Sequence, residues 1–310
     1  MRVLVICICF NALSLISLAQ KIAVTVDDLP LISTNNSAKN QTFVIEQLIS
    51  HAKVYDIPMI GFVNEFKLYR KTELTELKIN LLEKWLKEGF ELGNHGYEHL
   101  NYDNTDTTAY FADIIKGEKV SKQLSKKYGF DYKYYRHPFL RAGNTPEKEI
   151  ALENFLKRNG YLEAPVTVDN SDWIFARAYD LAIDQDDTKM KQKIAEAYIP
   201  YMMDKLIHYE GKSQMLFDRK IDQVLLIHAN RINADLLGEL AEAINKYGYE
   251  FASLSEVLKD PAYLSDDHIA KPWGISWIDR WSRNMDRPKD FYKGEPACPQ
   301  FVQDYAGLKE

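Results

Sequence analysis

The sequence has only three cysteines in 310 residues, too few for a disulfide scaffold. Cys7 and Cys9 fall in an N-terminal apolar run, which leaves Cys298 alone beyond it. There is no basic excess: 39 lysines and arginines stand against 45 aspartates and glutamates, a net charge of −6. Such a chain lacks the electrostatic footprint for binding nucleic acid or an anionic membrane. No Gly/Ser/Pro-rich linker, low-complexity tract or internal repeat divides it. What is present is globular composition, 46% hydrophobic and 27% charged, which excludes collagen-like, coiled-coil and disordered classes. A chain of this length can bury about three quarters of its unfolded surface around one large core.

Arg2 precedes an apolar run from Val3 to Leu18 that closes in Ser17-Leu18-Ala19. A basic start, a short hydrophobic stretch and small residues at −3 and −1 predict a secretory signal, residues 1–19, rather than a membrane anchor. The expectation is an exported protein, periplasmic or secreted, with no stable membrane insertion after cleavage. A single remaining cysteine suits an exported chain that avoids disulfides.

From Lys21 onward, short apolar runs alternate with longer amphipathic ones. Strands are expected at Ile22–Val26, Pro58–Val63, Phe90–Leu92, Tyr132–Tyr135, Pro165–Val168, Val224–Ile227 and Glu250–Ala252. Helices are expected at Thr42–Tyr55, Thr72–Glu88, Thr107–Tyr128, Pro146–Asn159 and Ala234–Tyr247, several stopped by glycine. This alternation implies α/β architecture, parallel strands with helices outside, either doubly wound or closed into a barrel. Residues 174–219 interrupt the rhythm as a helical insertion, and 261–310 form a C-terminal extension. In that tail Trp273, Trp277 and Trp281 recur at i, i+4, i+8, a stripe expected to pack on the barrel.

Polar groups gather at the C-terminal ends of the expected strands, where barrels place their active sites. Asp27 and Asp28 follow the first strand; adjacent carboxylates either hold a cation or proton between them or cap a turn. His95 and His99 stand four apart, on the same side of a helical turn, a spacing that lets both imidazoles reach one metal. Two histidines plus a carboxylate leave coordination positions open, as a catalytic site requires. Arg136 follows the fourth strand, Asp169 to Trp173 the fifth, and His228 ends the most apolar strand. Asn101, Tyr102 and Asp103 either line the cleft or cap a loop, and His51, His208 and His268 are read as structural.

Taken together, Thr25-Val26-Asp27-Asp28-Leu29-Pro30, His95 to His99, Arg136-His137-Pro138-Phe139, Asp169 to Trp173 and Leu226-Ile227-His228 occur in a familiar order. They resemble the five motifs of polysaccharide deacetylases with the NodB homology domain, carbohydrate esterase family 4. The resemblance implies a deformed (β/α) barrel over 20–260 and hydrolysis of acetyl groups from a glycan. It implies one divalent ion, zinc first and cobalt or another ion as substitute, held by Asp28, His95 and His99. Asp27 would be the general base, Arg136 would fix it, and His228 would protonate the leaving amine with Asp172 supporting its imidazolium. The Phe139 N–H would join the oxyanion hole and Trp173 would line the acetyl pocket. The implied substrate is an N-acetylated glycan of chitooligosaccharide or peptidoglycan type, with an O-acetyl xylan esterase or an inactive carbohydrate-binding scaffold as alternatives. Leu29, Gly96 and Leu140 depart from the family pattern at the mouth of the site.

Overall fold

The computed structural model describes residues 20–310, so the expected signal segment lies outside the described residues. Among them, no helix is long and apolar enough to cross a membrane. The chain opens with β1 (Gln20–Leu29), α1 (Ala38–Val54), β2 (Ile60–Val63), the hairpin β3 (Tyr69–Arg70) and β4 (Glu73–Leu74), and α2 (Glu76–Lys87). Next come β5 (Glu91–Asn94), α3 (Thr107–Lys116), α4 (Ser121–Lys127), β6 (Tyr134–Tyr135), α5 (Pro146–Arg158) and β7 (Leu162–Glu163). The second half holds α6 (Asp172–Asp184), α7 (Thr188–Phe217), β8 (Gln223–His228), α8 (Arg231–Tyr247) and β9 (Tyr249–Phe251). It ends with α9 (Leu254–Val257), α10 (Trp277–Trp281) and α11 (Gln300–Ala306).

The main sheet has the order β7-β6-β5-β2-β1-β8, with β9 also on β1, and its pairs are parallel. Every residue from Ile22 to Leu29 is buried, as a central parallel strand requires. Helices surround the sheet, so the chain is a half-barrel of the (β/α) type that the motifs implied. Capping sets the helix limits: Ser37, Thr145 and Asn230 each accept an N–H of the first turn of α1, α5 and α8. Gly248, at φ 112, ends α8 in the left-handed region.

Three elements differ from expectation. Pro165–Val168 is no strand; β7 lies earlier, and Val168 makes only a bridge to Leu225 on β8. The Thr167 hydroxyl accepts the Val224 N–H at 2.7 Å, so a side chain takes a place that the ladder would fill. That bridge carries the chain back to the free edge of β8, where the half-barrel would otherwise stay open. The helix expected over 107–128 breaks into α3 and α4 at Gly117. A Cβ there would stand 2.7 Å from the Gly96 carbonyl oxygen, so the break lets the loop carrying the histidines pack close. The tryptophan stripe holds for Trp277 and Trp281, both buried, but Trp273 lies outside α10 and stacks on Arg283.

Candidate active site

The first carboxylates are placed by an irregularity in β1. Its register on β2 shifts between Val26 and Leu29, and Asp28 has a left-handed φ of 68°. Side chains of neighbouring strand residues normally point to opposite faces; the bulge breaks that alternation, and Asp27 and Asp28 line one cavity. The strand therefore runs through the aspartate pair instead of ending before it.

His95 and His99 follow β5 in a loop, not on the helical turn that their spacing suggested. Left-handed backbone at Gly96 (φ 74) and His99 (φ 56) folds the segment back, bringing the two rings to 4.8 Å. The His95 Nδ1 lies 2.9 Å from the Arg136 carbonyl; as a donor to it, His95 keeps Nε2 free as a lone pair. Burial pushes both imidazoles down to about 4, so they are neutral ligands at neutral pH. Ligand atoms of Asp28, His95 and His99 all lie within 4.8 Å of one another. Burial acts to raise the Asp28 pKa, yet Lys67, His99 and His95 together hold it well below the usual range. The Lys67 ammonium donates to Asp28 Oδ1 at 2.8 Å, a positive charge already seated against this donor set. A buried carboxylate that already draws a positive charge, with two neutral imidazoles beside it, fits a divalent metal.

Asp27 is buried, and its pKa is raised by burial against the pull of Arg136. Arg136, fully buried, reaches Asp27 Oδ2 at 3.5 Å and donates to the Thr25 hydroxyl at 2.9 Å. The other Asp27 oxygen has no protein partner. The β1–β8 register sets Asp27 opposite His228. His228 Nδ1 lies 2.6 Å from Asp172 Oδ1, and the His228 N–H donates to Asp172 Oδ2 at 2.9 Å. Burial lowers the His228 pKa, but the Asp172 charge and hydrogen bond outweigh it and raise it to about 9. Asn230 and Asn233 also donate to Asp172, a support that sequence spacing did not reveal.

Phe139, at φ 57, and Leu140, at φ 54, form a left-handed turn at the rim. The tail holds this turn: a Cβ at Gly274 would fall 1.9 Å from the Phe139 carbonyl oxygen. Gly274→Ala is therefore expected to push the turn aside and lower kcat/KM by about 10- to 100-fold, as displaced groups do. Gly211→Ala, where a Cβ meets nothing within 4 Å, is the control. His137 ties the same segment to the tail, bonding Glu163 and stacking on Trp277.

These groups open into a cavity of about 630 Å³ lined by Asp27, Asp28, His95, His99, Phe139, Trp173 and His228. Sequence reasoning missed its far wall: Lys205 and Tyr209 of the insertion, and Asp279 and Glu295 of the tail. Arg136 and Asp172 stand behind the lining. Asn101, Tyr102 and Asp103 build a loop instead of lining the cleft. The Asn101 side chain accepts the Asp103 N–H, Tyr102 is buried on Tyr110, and Asp103 pairs with Arg141.

A parallel half-barrel with carboxylates and histidines at the C-terminal ends of its strands is a scaffold of the kind that carries enzyme sites. Residues 17–154 match the family model for polysaccharide deacetylase. The match takes in the aspartate pair, the histidine loop and Arg136, and stops before Asp172 and His228. No curated protein matches the chain. Among solved structures, the chitin deacetylase from the fungal pathogen Colletotrichum lindemuthianum is similar at TM-score 0.53 and 17% identity, over 79% of this chain and 89% of that one. The polysaccharide deacetylase Bc1974 from Bacillus cereus is similar at TM-score 0.51 and 16% identity, over 76% and 91%. A family 4 pseudoenzyme from Bacillus anthracis is similar at TM-score 0.51 and 11% identity, over 77% and 66%. At such identities the likeness establishes the fold, and activity rests on the residues.

Proposed function

We propose that this chain is an exported, metal-dependent deacetylase acting on N-acetylated glucosamine units of a glycan. One observation carries the reading: the Asp28, His95 and His99 triad, Asp27 and His228, which Asp172 backs from behind, border a single cavity. Signal segment, barrel over 20–260 and packed tail over 261–310 belong to the same proposal.

Asp28, His95 and His99 would hold the ion, and the nitrogen and oxygen donors suit zinc. When bound, the ion supplies Lewis-acid polarisation of the acetyl carbonyl and lowers the pKa of water. Asp27, with one oxygen free of protein partners, accepts the proton of the attacking water. Arg136 holds that carboxylate in place and favours its charged form. The Phe139 N–H, at the left-handed turn, is the donor for the developing oxyanion, and Trp173 walls the acetyl group. His228 delivers a proton to the departing amine, which leaves poorly as an anion. Asp172 keeps His228 protonated until then.

Acetate release from chitooligosaccharides, peptidoglycan fragments and acetylated xylan tests this reading. Release from N-acetylated substrates is expected; release from xylan alone would make the protein an O-acetyl esterase. Purified protein is expected to carry about one divalent ion per chain and to lose activity to a chelator, with recovery on adding zinc. Full turnover by metal-free protein would refute the proposal.

A further inference from the structure

The triad lies where two cavities meet. The second, of about 600 Å³, shares Asp28, Ile32, His99 and Phe139 with the first and extends to Phe66, Lys67, Tyr69 and Lys78. The arms differ in charge. Beyond the triad, the first carries Asp27, Asp169, Asp279, Glu295 and Glu310, with Lys205, Arg141 and the protonated His228 as its cations. Beyond Asp28, the second has no carboxylate in its lining, and Lys67 and Lys78 are its ammonium groups.

The one carboxylate that Lys67 meets there is Asp28, which belongs to the triad, and Lys78 meets none. Lys67 donates to Asp28, both to the carboxylate and, at 3.3 Å, to the backbone carbonyl. A divalent ion on Asp28 would compete for that carboxylate and free Lys67 for another partner. Lys78 donates to the Lys67 carbonyl and pairs with no carboxylate among the described residues. Its pKa is lowered by burial and then by Lys67, the mark of a cation short of compensation. Beside them Phe66 stays 54% exposed, braced edge-on by Tyr97 at 5.8 Å. An open aromatic face next to two ammonium groups is the composition that binds a ring bearing an anion.

We propose that this second arm binds a carboxylate-bearing sugar unit beside the acetylated one, Lys67 and Lys78 holding the carboxylate and Phe66 the ring. The inference rests on the deacetylase reading and narrows its substrate to acidic glycans. Both a uronate and a lactyl ether offer such a carboxylate.

The test compares acetate release from neutral chitooligosaccharides, alternating N-acetylglucosamine–glucuronate oligosaccharides and peptidoglycan glycan strands of matched length. At least one acidic series is expected to show the higher kcat/KM, and the preferred series identifies the carboxylate. In Lys78→Met the acidic-to-neutral ratio is expected to fall about tenfold, the scale of a half-desolvated charge pair, and Lys78→Arg to retain it. Calorimetric binding of the same oligosaccharides is expected to weaken in Lys78→Met and at high salt for the acidic series only. Lys78→Met removes neither partner of the Lys67–Asp28 pair, and its melting temperature, measured beside Lys78→Arg, separates a loss of stability from a loss of binding. Equal kcat/KM on neutral and acidic substrates, or a ratio unmoved by Lys78→Met, would overturn the inference while leaving the deacetylase standing. Acetate from no substrate would instead sink the deacetylase reading, and binding indifferent to Lys78 would then dispose of the lysine arm as well.

Discussion

Asp27→Asn is expected to retain the bound metal and to lower kcat by about 10²- to 10⁴-fold, the scale of general base catalysis. The two aspartates are neighbours in sequence, yet their surroundings separate their roles. Asp28 shares its space with His95 and His99, and Lys67 donates to it at 2.8 Å. Asp27 lies 3.5 Å from Arg136 and 3.8 Å from His95 Nε2, with one buried oxygen free of any partner. A buried acceptor without a protein donor calls for one from outside, the place of the attacking water in the proposed reaction. Asparagine keeps the shape and the contact with Arg136 but cannot take a proton. The substitution also leaves the Arg136 guanidinium buried opposite a neutral amide, so the melting temperature should drop too; kcat measured well below that transition separates the effects. Asp28→Asn, in contrast, should lose metal and activity together. Metal lost from Asp27→Asn and kept by Asp28→Asn would exchange the two roles.

The site was legible in sequence where chemistry alone constrains residue type, and illegible where long-range packing sets geometry. Asp28, His95 and His99 do converge, but through a β-bulge and a left-handed loop. Neither leaves a periodic signature, so a loop, not the expected helical turn, brings the two histidines together. Pro165–Val168 reads as a strand because its valines are apolar, and both are buried. Burial there comes from packing between β8 and the tail, where Trp277 donates its N–H to the Val166 carbonyl at 2.7 Å. Hydropathy reports that a residue is covered, not by which element. Lys205 and Tyr209 lay on α7, and nothing in their spacing told a cavity wall from any other buried helix face. Lys67 was equally silent, since its partner Asp28 is 39 positions away.

Asp172→Asn is expected to move the alkaline limb of the activity profile to lower pH and to reduce turnover on amides by about 10²- to 10⁴-fold. His228 is protonated up to about pH 9 because Asp172 offsets the cost of burying its charge. The sign follows from that raised value. The pair stabilises the fold fully below the ordinary imidazole pKa, and the contribution fades as pH rises through the folded value. Acid catalysis by His228 should fade over the same range, giving the wild type an alkaline limb near 9. With asparagine at 172 the largest opposing charge is gone and burial meets only the smaller pull of Asp28 and Asp27, so the His228 pKa falls and the limb follows it down. The tautomer changes as well. Asp172 Oδ2 takes N–H donors from His228, Asn230 and Asn233, so an asparagine carbonyl belongs on that side and its NH₂ faces His228 Nδ1. Nδ1 must then accept, and the neutral ring that results is a poor proton donor. Amide substrates, whose amine needs the proton, should suffer far more than aryl acetates, whose leaving group does not. Equal losses on both, with the alkaline limb unmoved, would show that His228 and Asp172 are not the acid pair.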